Sequence, residues 1–114
     1  STSIDVRIVA TKDIRHSRID YTITITNNLT SPRTLKNNVI RLRYDDKGYN
    51  DVLVSNEVSE DLGDITVAGD YSYTKSGSFS ISDAALLERP KIWVSLDNGK
   101  YIMDAIPMTD TTIQ

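Results

Sequence analysis

The chain has 114 residues, of which 39% are hydrophobic and 25% are charged, and its net charge at pH 7 is −3. This length suits one domain with a single core, because independently folding units usually contain about 50 to 250 residues. The sequence has no cysteine and only one histidine, which excludes thiolate nucleophiles, disulfides and metal sites that need several Cys or His ligands.

Charge and hydropathy argue against two classes of partner. Lys and Arg are scattered singly along a net acidic chain, which predicts no nucleic-acid-binding surface. The apolar runs are short, whereas a membrane-spanning helix needs about 20 residues, so we expect a soluble segment that does not insert into a membrane. The chain begins at Ser1 without a signal-peptide pattern, from which we expect a processed form or a part of a longer polypeptide.

Alternating apolar and polar residues predict two strands near the N-terminus. Side chains of a strand point alternately to the two faces of a sheet, so every second residue of a half-buried strand is apolar. Residues 4–10 and 19–26 follow this pattern. The polar positions of the second strand are mostly Thr, a β-branched residue that suits the solvent-facing side of a sheet.

Further strand signals occupy the middle of the chain. A polar turn region at 27–38 precedes an alternating strand at 40–44, and turn residues at 45–48 predict a hairpin into a strand at 52–54. A short strand is predicted at 65–67. Apolar residues share one parity from 71 to 81, which favours one long strand; Lys75 and Gly77 interrupt that face and leave a hairpin at 75–77 as the alternative.

The last third of the chain contains the only helical signal. A short helical turn is predicted at 83–89, where Ser82 or Asp83 would cap the N-terminus and Pro90 would end the turn. Strands at 91–96 and 101–106 follow, and the Asn98-Gly99 pair between them is a strong hairpin signal. The polar residues of 108–114 predict a linker or a flexible C-terminal tail.

These signals predict an all-β fold. Seven to eight short strands with turn signals at roughly ten-residue spacing are typical of an immunoglobulin-like antiparallel β-sandwich. We assign this sandwich to residues 1–107 and the linker or tail to residues 108–114. A small barrel gives a similar pattern and is the alternative architecture.

Three segments carry turn motifs in a recognisable order: a strand ending in Asn-Asn at 23–28, a strand ending in a Tyr-Asp turn at 38–48, and a Leu-Gly turn at 62–69. Together they resemble the FxLYD and CARDB-type immunoglobulin-like families, and the likeness covers residues 19–97. The aromatic residue that those families have before Tyr-Asp is Arg43 here. The resemblance implies a non-catalytic module outside the cytoplasm, in a prokaryotic surface protein or lipoprotein.

Catalytic and metal sites find little support in the sequence. His16 would have to serve any Ser-His-Asp site, but it lies in a charged connection at 13–18, where we expect an exposed loop residue. Two acidic groups contain the oxygen ligands that calcium needs, but neither has EF-hand spacing, so we interpret them as solvated turns. They are Asp45, Asp46 and Asp51, and Glu57, Glu60, Asp61 and Asp64. We predict no catalytic residue, metal or cofactor.

Trp93 and Tyr49 are the candidates for a binding surface. Trp93 is out of phase with Ile92 and Val94, so it faces outward if they face inward, and an exposed Trp can anchor a protein or stack on a sugar. A strand buried on both faces would place Trp93 in the core, and the high average burial of Trp favours this placement slightly. Tyr49 follows a glycine turn, which predicts an exposed side chain.

The leading hypothesis is an extracytoplasmic immunoglobulin-like interaction or spacer module of a larger surface protein or lipoprotein. A rigid sandwich of this kind would present one face or its loops to a protein or glycan. One alternative is a structural domain of a virion or surface appendage, which would assemble with copies of itself through strand edges and termini. The other is a carbohydrate-binding module.

Overall fold

The computed structural model describes residues 3–47, 52–81, 88–105 and 108–110. These residues form eight strands and no helix, so the all-β prediction is confirmed. The strands are β1 (Ile4–Asp13), β2 (Arg18–Asn27), β3 (Arg33–Lys47), β4 (Leu53–Val67), β5 (Ser72–Ser80), β6 (Glu88–Leu96), β7 (Tyr101–Asp104) and β8 (Met108–Asp110).

The strands form two sheets with an immunoglobulin-like order. One sheet has the order β5-β2-β1-β8 and the other has the order β4-β3-β6-β7. In the usual lettering, β1, β2 and β5 correspond to strands A, B and E, and the second sheet corresponds to C′, C, F and G. Neighbouring strands are antiparallel except β8, which runs parallel to β1.

The core lies between the two sheets and consists of the inward-facing residues of both. Alternation along β2, β3 and β6 buries its central side chains to less than 2% exposure: Ile19, Ile23, Ile25, Ile40, Leu42, Ile92, Val94 and Leu96. Each such side chain contributes about 1.5–3 kcal/mol of burial free energy. This core accounts for a folded domain that has no disulfide.

β5 is one continuous strand, which confirms the prediction made from the shared parity of the apolar residues at 71–81. All nine of its residues pair with β2 from Ser72 to Ser80, so no hairpin forms at 75–77. Gly77 lies opposite Tyr21, and a Cβ atom at position 77 would lie 2.4 Å from the Tyr21 hydroxyl oxygen. The glycine therefore makes room for the Tyr21 ring inside the sandwich.

The buried ring of Tyr21 spans the gap between the two sheets. Its hydroxyl donates a hydrogen bond of 3.3 Å to the Glu60 carboxylate on β4. Burial, with a smaller contribution from the Glu60 charge, raises the pKa of Tyr21 to about 12.

Several sequence predictions differ from the structure or fall outside its described part. Residues 33–38 and 45–47 of the predicted turns belong to β3. The strands predicted at 52–54 and 65–67 are both parts of β4, which continues through an irregularity in its pairing where Gly63 has a φ of 68°. The helical turn predicted at 83–89 is wrong for Glu88 and Arg89, which begin β6; residues 83–87 lie outside the described residues. The last predicted strand, 101–106, ends at Asp104, and Ile106 also lies outside them.

A further difference concerns the C-terminal segment at 108–114. Its first three residues form β8 and pair with Ala10–Lys12 of β1, and 111–114 lie outside the described residues.

Three connections meet at one end of the sandwich, and the side chains of two fully buried asparagines form hydrogen bonds with them. The connections are 28–32, 68–71 and 97–100. The Asn27 side-chain amide donates to the carbonyls of Ser31 (2.9 Å) and Val67 (3.0 Å), and its oxygen accepts from the Leu29 N–H. We call this the asparagine end.

Asn38, near the start of β3, forms similar hydrogen bonds. Its amide donates to the carbonyls of Leu35 (2.9 Å) and Gly63 (2.8 Å), and its oxygen accepts from the Asp97 N–H at 2.9 Å. The two asparagine side chains are fully buried, and these bonds give their amides the partners that buried polar groups require.

Candidate binding surface

Trp93 lies on the outer face of the β4-β3-β6-β7 sheet. Its neighbours Ile92 and Val94 are 1% and 0% exposed and belong to the core, so the alternation of β6 directs Trp93 away from the core. The preference for a core position is therefore wrong, and the outward alternative is what the structure shows. The side chain is half-buried, because neighbouring strands flank it on both sides.

Strand pairing places charged and apolar residues around the indole. Arg41 on β3 and Asp104 on β7 are the direct cross-strand partners of Trp93. The Lys91 ammonium lies 5.4 Å from the ring centroid, within the range of a cation–π contact. Ile102 on β7 projects from the same outer face and is 64% exposed. We call Arg41, Arg43, Lys91, Trp93 and Ile102 together the Trp93 face.

The ion pairs of this face are long and solvent-exposed. The distances are 3.8 Å from Arg41 Nε to Glu57 and 3.9 Å from Lys91 Nζ to Asp104. Exposed pairs of this kind contribute only about 0–1 kcal/mol each, so a partner can replace them with its own carboxylates at little cost. Arg43 donates through Nε to the Ser55 hydroxyl at 3.1 Å.

The chemistry of the Trp93 face suits binding. Trp and Arg beside an exposed aliphatic side chain is the composition found at energetically important positions of protein interfaces. The ammonium of Lys91 already occupies one side of the indole, which leaves less of the ring for stacking on a sugar. Tyr49, the second predicted binding residue, lies outside the described residues.

The outer face of the other sheet is different. Its residues on β2 and β5 are almost all Ser and Thr, and they bond to one another across the strands. Thr22 and Ser76 are 2.9 Å apart, and Thr26 and Ser72 are 2.8 Å apart. These short side chains satisfy each other, so the middle of β2 and β5 provides no large anchor for a partner.

His16 is an exposed turn residue, as predicted. Its side chain is 57% exposed, and both its backbone N–H and its Nδ1 donate to the Asp13 carboxylate, at 3.1 and 2.9 Å. The Arg18 guanidinium lies 3.3 Å from the same carboxylate. We call this turn, at residues 14–17, the histidine end, because it lies opposite the asparagine end.

The hydrogen bond from His16 is the main reason that the pKa of Asp13 is below its ordinary value. Burial opposes this change, and the positive charges of His16 and Arg18 add to it.

The second acidic group forms part of β4 and is not a turn. Glu57 faces outward toward Arg41, whereas Glu60 faces Tyr21, because residues of opposite parity point to opposite faces. Asp61 and Asp64 accept hydrogen bonds from the backbone N–H groups of Gly63 and Asn37. Within 3–47, 52–81, 88–105 and 108–110, no group of three or more His, Asp or Glu residues could hold a metal ion.

Of the residues around Trp93, Arg41, Lys91 and Ile102 were not among the candidates that the sequence indicated. Lys91 lies two residues from Trp93 on the same strand, so its position beside the indole follows from the alternation of β6. The positions of Arg41 and Ile102 relative to Trp93 depend on strand register. The part of the chain that the structure describes contains no helix long and apolar enough to cross a membrane.

No protein-family model matches the chain, and no curated protein matches it. The solved structures that share its fold include two that cover almost all of this chain. One is Spo0M, a sporulation control protein from Bacillus subtilis, with 11% identity and a TM-score of 0.55 over 98% of this chain. The other is the alkylpurine DNA glycosylase AlkC of Pseudomonas fluorescens, bound to DNA containing an abasic site analog, with 11% identity and a TM-score of 0.56 over 97% of this chain.

The chain spans 51% of the Spo0M structure and 31% of the AlkC structure. At this identity the likeness concerns the sandwich fold alone.

Proposed function

We propose that this domain is a non-catalytic immunoglobulin-like interaction module that binds a partner protein through the Trp93 face. The observation that carries the proposal is the outward position of Trp93 between Arg41 and Lys91, next to the 64% exposed Ile102. A rigid sheet holds these side chains in fixed positions, which lowers the entropy cost of binding.

The Trp93 face also favours a different protein over a second copy of this domain. Its central strands carry Arg41, Arg43 and Lys91, while Glu57 and Asp104 lie on the outer strands. If two such faces stacked centre to centre, the cations of one face would lie against those of the other and repel them. A partner with carboxylates at the centre of its surface would be complementary.

Site-specific photo-crosslinking in the cells that produce the protein tests this function. We expect a photoreactive residue at position 93 to form a covalent adduct with one partner protein. The same residue at Thr24, on the outer face of the other sheet, is the matched control and should form none. The proposal is wrong if position 93 gives only dimers of the domain, which would support the self-assembling structural domain, or if both positions react equally.

Fluorescence of Trp93, the only tryptophan, tests the carbohydrate-binding alternative. We expect a panel of glycans to leave the emission unchanged, because Lys91 already contacts the ring. Quenching by one glycan that saturates with concentration would support a carbohydrate-binding module instead.

We further propose that the module acts outside the cytoplasm as part of a surface protein or lipoprotein. The resemblance of residues 19–97 to FxLYD and CARDB-type domains supports this location. Fractionation of the source cells with an antibody to the domain tests it: recovery from the envelope or medium is expected, and recovery only from the cytoplasm would contradict it.

A further inference from the structure

β5 is an edge strand that has a neighbour on one side only. It pairs with β2 along its whole length, from Ser72 to Ser80, and it is the outermost strand of the sheet β5-β2-β1-β8. No strand within 3–47, 52–81, 88–105 and 108–110 pairs with its other side. A free edge of nine residues presents a row of backbone groups that a further strand can bind.

The rest of the chain is too short or too distant to cover this edge. Residues 82–87 lead from the histidine end of β5 to Glu88, which pairs with Asp45 in the other sheet. Six residues extend over at most about 21 Å, and the step between packed sheets takes about 10 Å, so they cannot also run back beside 72–76. The other residues outside the described ranges adjoin β1, β3, β4, β7 and β8, and none of these strands is a neighbour of β5.

The free edge carries the backbone groups of the even-numbered residues of β5. Just before β5, the Asn27 N–H donates to the Tyr71 carbonyl. Just after it, the Ile81 N–H donates to the Ser17 carbonyl. Odd-numbered residues of β5 therefore bond to β2, because antiparallel partners alternate between bonded and non-bonded pairs. The groups that point to the free edge are the N–H and C=O of Ser72, Thr74, Ser76, Ser78 and Ser80.

We propose that this edge pairs with the same edge of a second copy of the chain, antiparallel and centred on Ser76. The pairing would join two four-stranded sheets into one sheet of eight strands. In a two-fold interface residue i of one copy meets residue j of the other, and j meets i, so the strand has to match its own reverse. The proposed interface lies on the sheet opposite the Trp93 face and does not depend on the proposed function.

The sequence of β5 matches its own reverse about Ser76. It has a hydroxyl residue at every even position and an aromatic residue three positions to either side of the centre. In the proposed register, Tyr73 lies opposite Phe79 of the second copy. Ser and Thr hydroxyls meet on the outer face, as they already do between β2 and β5. Five edge-facing N–H groups from each copy would find carbonyls, which gives about ten hydrogen bonds.

Lys75 restricts the register of this pairing. Its side chain lies on the inner face of the sheet, is half-buried, and forms no ion pair with any residue in the part of the chain that the structure describes. An inward-pointing charge on an edge strand normally discourages pairing. If the pairing were centred on Lys75, the two ammonium groups would face and repel each other.

Centring on Ser76 removes this obstacle and supplies a counter-charge. Lys75 then lies opposite Gly77 of the second copy, which has no side chain. The Tyr21 hydroxyl lies beside Gly77, since a Cβ atom there would be 2.4 Å from its oxygen, and it donates to the Glu60 carboxylate. The ammonium of one copy therefore comes within reach of the exposed Glu60 of the other, twice in the dimer, so the two edges are complementary in charge.

Disulfide crosslinking of single-cysteine variants tests the register, because the chain has no cysteine of its own. Ser76→Cys should give a covalent dimer under mild oxidation, since position 76 faces itself at a Cα distance of about 5.5 Å. Thr74→Cys is the matched control on the same face. Its two copies would lie about 13 Å apart and should form no disulfide. A mixture of Thr74→Cys and Ser78→Cys chains should crosslink again, because these positions are opposite each other.

Sedimentation velocity of the full chain measures the pairing without a crosslink. We expect a monomer–dimer equilibrium whose dissociation constant rises at least about tenfold in Ser76→Pro, because proline removes an N–H that points only to the free edge. Ser76→Ala keeps this N–H and should stay within about threefold of the wild type. Circular dichroism checks that the variants fold.

An exchange of charges provides a second measurement that does not depend on proline. Lys75→Glu and Glu60→Lys should each weaken the dimer at least about tenfold, because each places like charges together across the interface. The variant with both substitutions should recover most of the loss, since the charges are then complementary again.

Three results would overturn the proposal. The first is a protein that stays monomeric up to about 1 mM. The second is a Thr74→Cys variant that crosslinks as well as Ser76→Cys. The third is a dimer that Ser76→Pro weakens no more than Ser76→Ala does, which would place the contact elsewhere. Partner crosslinking at position 93 is measured separately, so the two proposals can fail independently. Thr24 lies on β2, where its backbone stays about 10 Å from the second copy.

Discussion

The two ends of the sandwich are stabilised by different interactions. At the asparagine end, the fully buried amides of Asn27 and Asn38 bond to the backbone of three connections. At the histidine end, Asp13 bonds to His16 and Arg18, whose side chains are 57% and 43% exposed. Water can replace the exposed bonds but cannot reach the buried amides of Asn27 and Asn38, so we expect the asparagine end to contribute more to stability.

The bonds at the two ends also differ in how far along the chain they reach. Asn27 bonds to a residue 40 positions away and Asn38 to one 59 positions away, whereas His16 and Asp13 are three positions apart. The amides therefore hold together parts of both sheets, and the carboxylate organises a single turn. Loss of an amide should affect the whole domain, while loss of the histidine should affect the turn.

Asn27→Ala should produce the largest effect at either end. The substitution leaves the carbonyls of Ser31 and Val67 and the N–H of Leu29 without their partner. The bond to Val67 is buried and the other two are partly buried. A buried polar group without a partner costs about 1–3 kcal/mol, so we expect the free energy of unfolding to fall by about 3 kcal/mol in urea titrations.

Asn28→Ala is the control for this change, because the neighbouring Asn28 side chain is exposed. We expect its effect to stay within about 0.5 kcal/mol. An equal loss in the two variants would show that the asparagine end does not depend on buried bonds.

Gly69→Ala should have the second-largest effect, through the backbone of the same end. A Cβ atom at position 69 would lie 2.1 Å from the carbonyl oxygen of Thr30, so the connections 28–32 and 68–71 would have to separate. This movement would weaken the 2.8 Å bond from the Asp70 N–H to the Leu29 carbonyl. We expect a loss of about 1–3 kcal/mol in the free energy of unfolding.

A double-mutant cycle with Asn27→Ala sharpens this prediction. Both substitutions loosen the same pair of connections, so their combined loss should be smaller than the sum of the two single losses. Full additivity would mean that Asn27 and Gly69 stabilise this end independently.

The sequence predicted the strands better than it predicted what joins them. Alternation identified β2, β5 and the inward residues of β6, because a half-buried strand requires period-two patterning. Asn27 and Asn38 stood at the two limits of a polar turn region and gave no sign of burial. Their partners Val67 and Asp97 are distant in sequence, so only the assembled sandwich brings them together.

The same limit applies to the candidate surfaces. Parity allowed Trp93 to face outward or to lie in a strand buried on both sides. The choice between these positions depended on how the two sheets pack, because the other sheet covers only the inner face of the β4-β3-β6-β7 sheet and leaves the outer face, with Trp93, uncovered. The division of β7 and β8 between two sheets could not be predicted at all, because no local pattern of residues 101–110 encodes it.

The smallest expected effect is a dependence of stability on pH, which should occur at the histidine end and not at the asparagine end. The pKa of Asp13 in the folded protein is below its ordinary value of 3.8, chiefly because His16 donates a hydrogen bond to the carboxylate. A carboxylate with a lowered pKa stabilises the folded state above its ordinary pKa, and this stabilisation is lost as the pH falls through the folded value. His16→Ala should therefore destabilise the protein slightly at pH values well above 3.8, with the difference disappearing once the pH has fallen below the folded pKa of Asp13.

Asn27→Ala provides the contrast, because an amide does not titrate in this range. Its loss of stability should stay the same at every pH at which the protein remains folded, so its curve should run parallel to that of the wild type in urea titrations repeated across the acid range. If the effect of His16→Ala were also independent of pH, the bond to Asp13 would not be the source of its stabilisation. If the effect of Asn27→Ala grew on acidification, the asparagine end would be coupled to a titrating carboxylate and the two ends would not be independent.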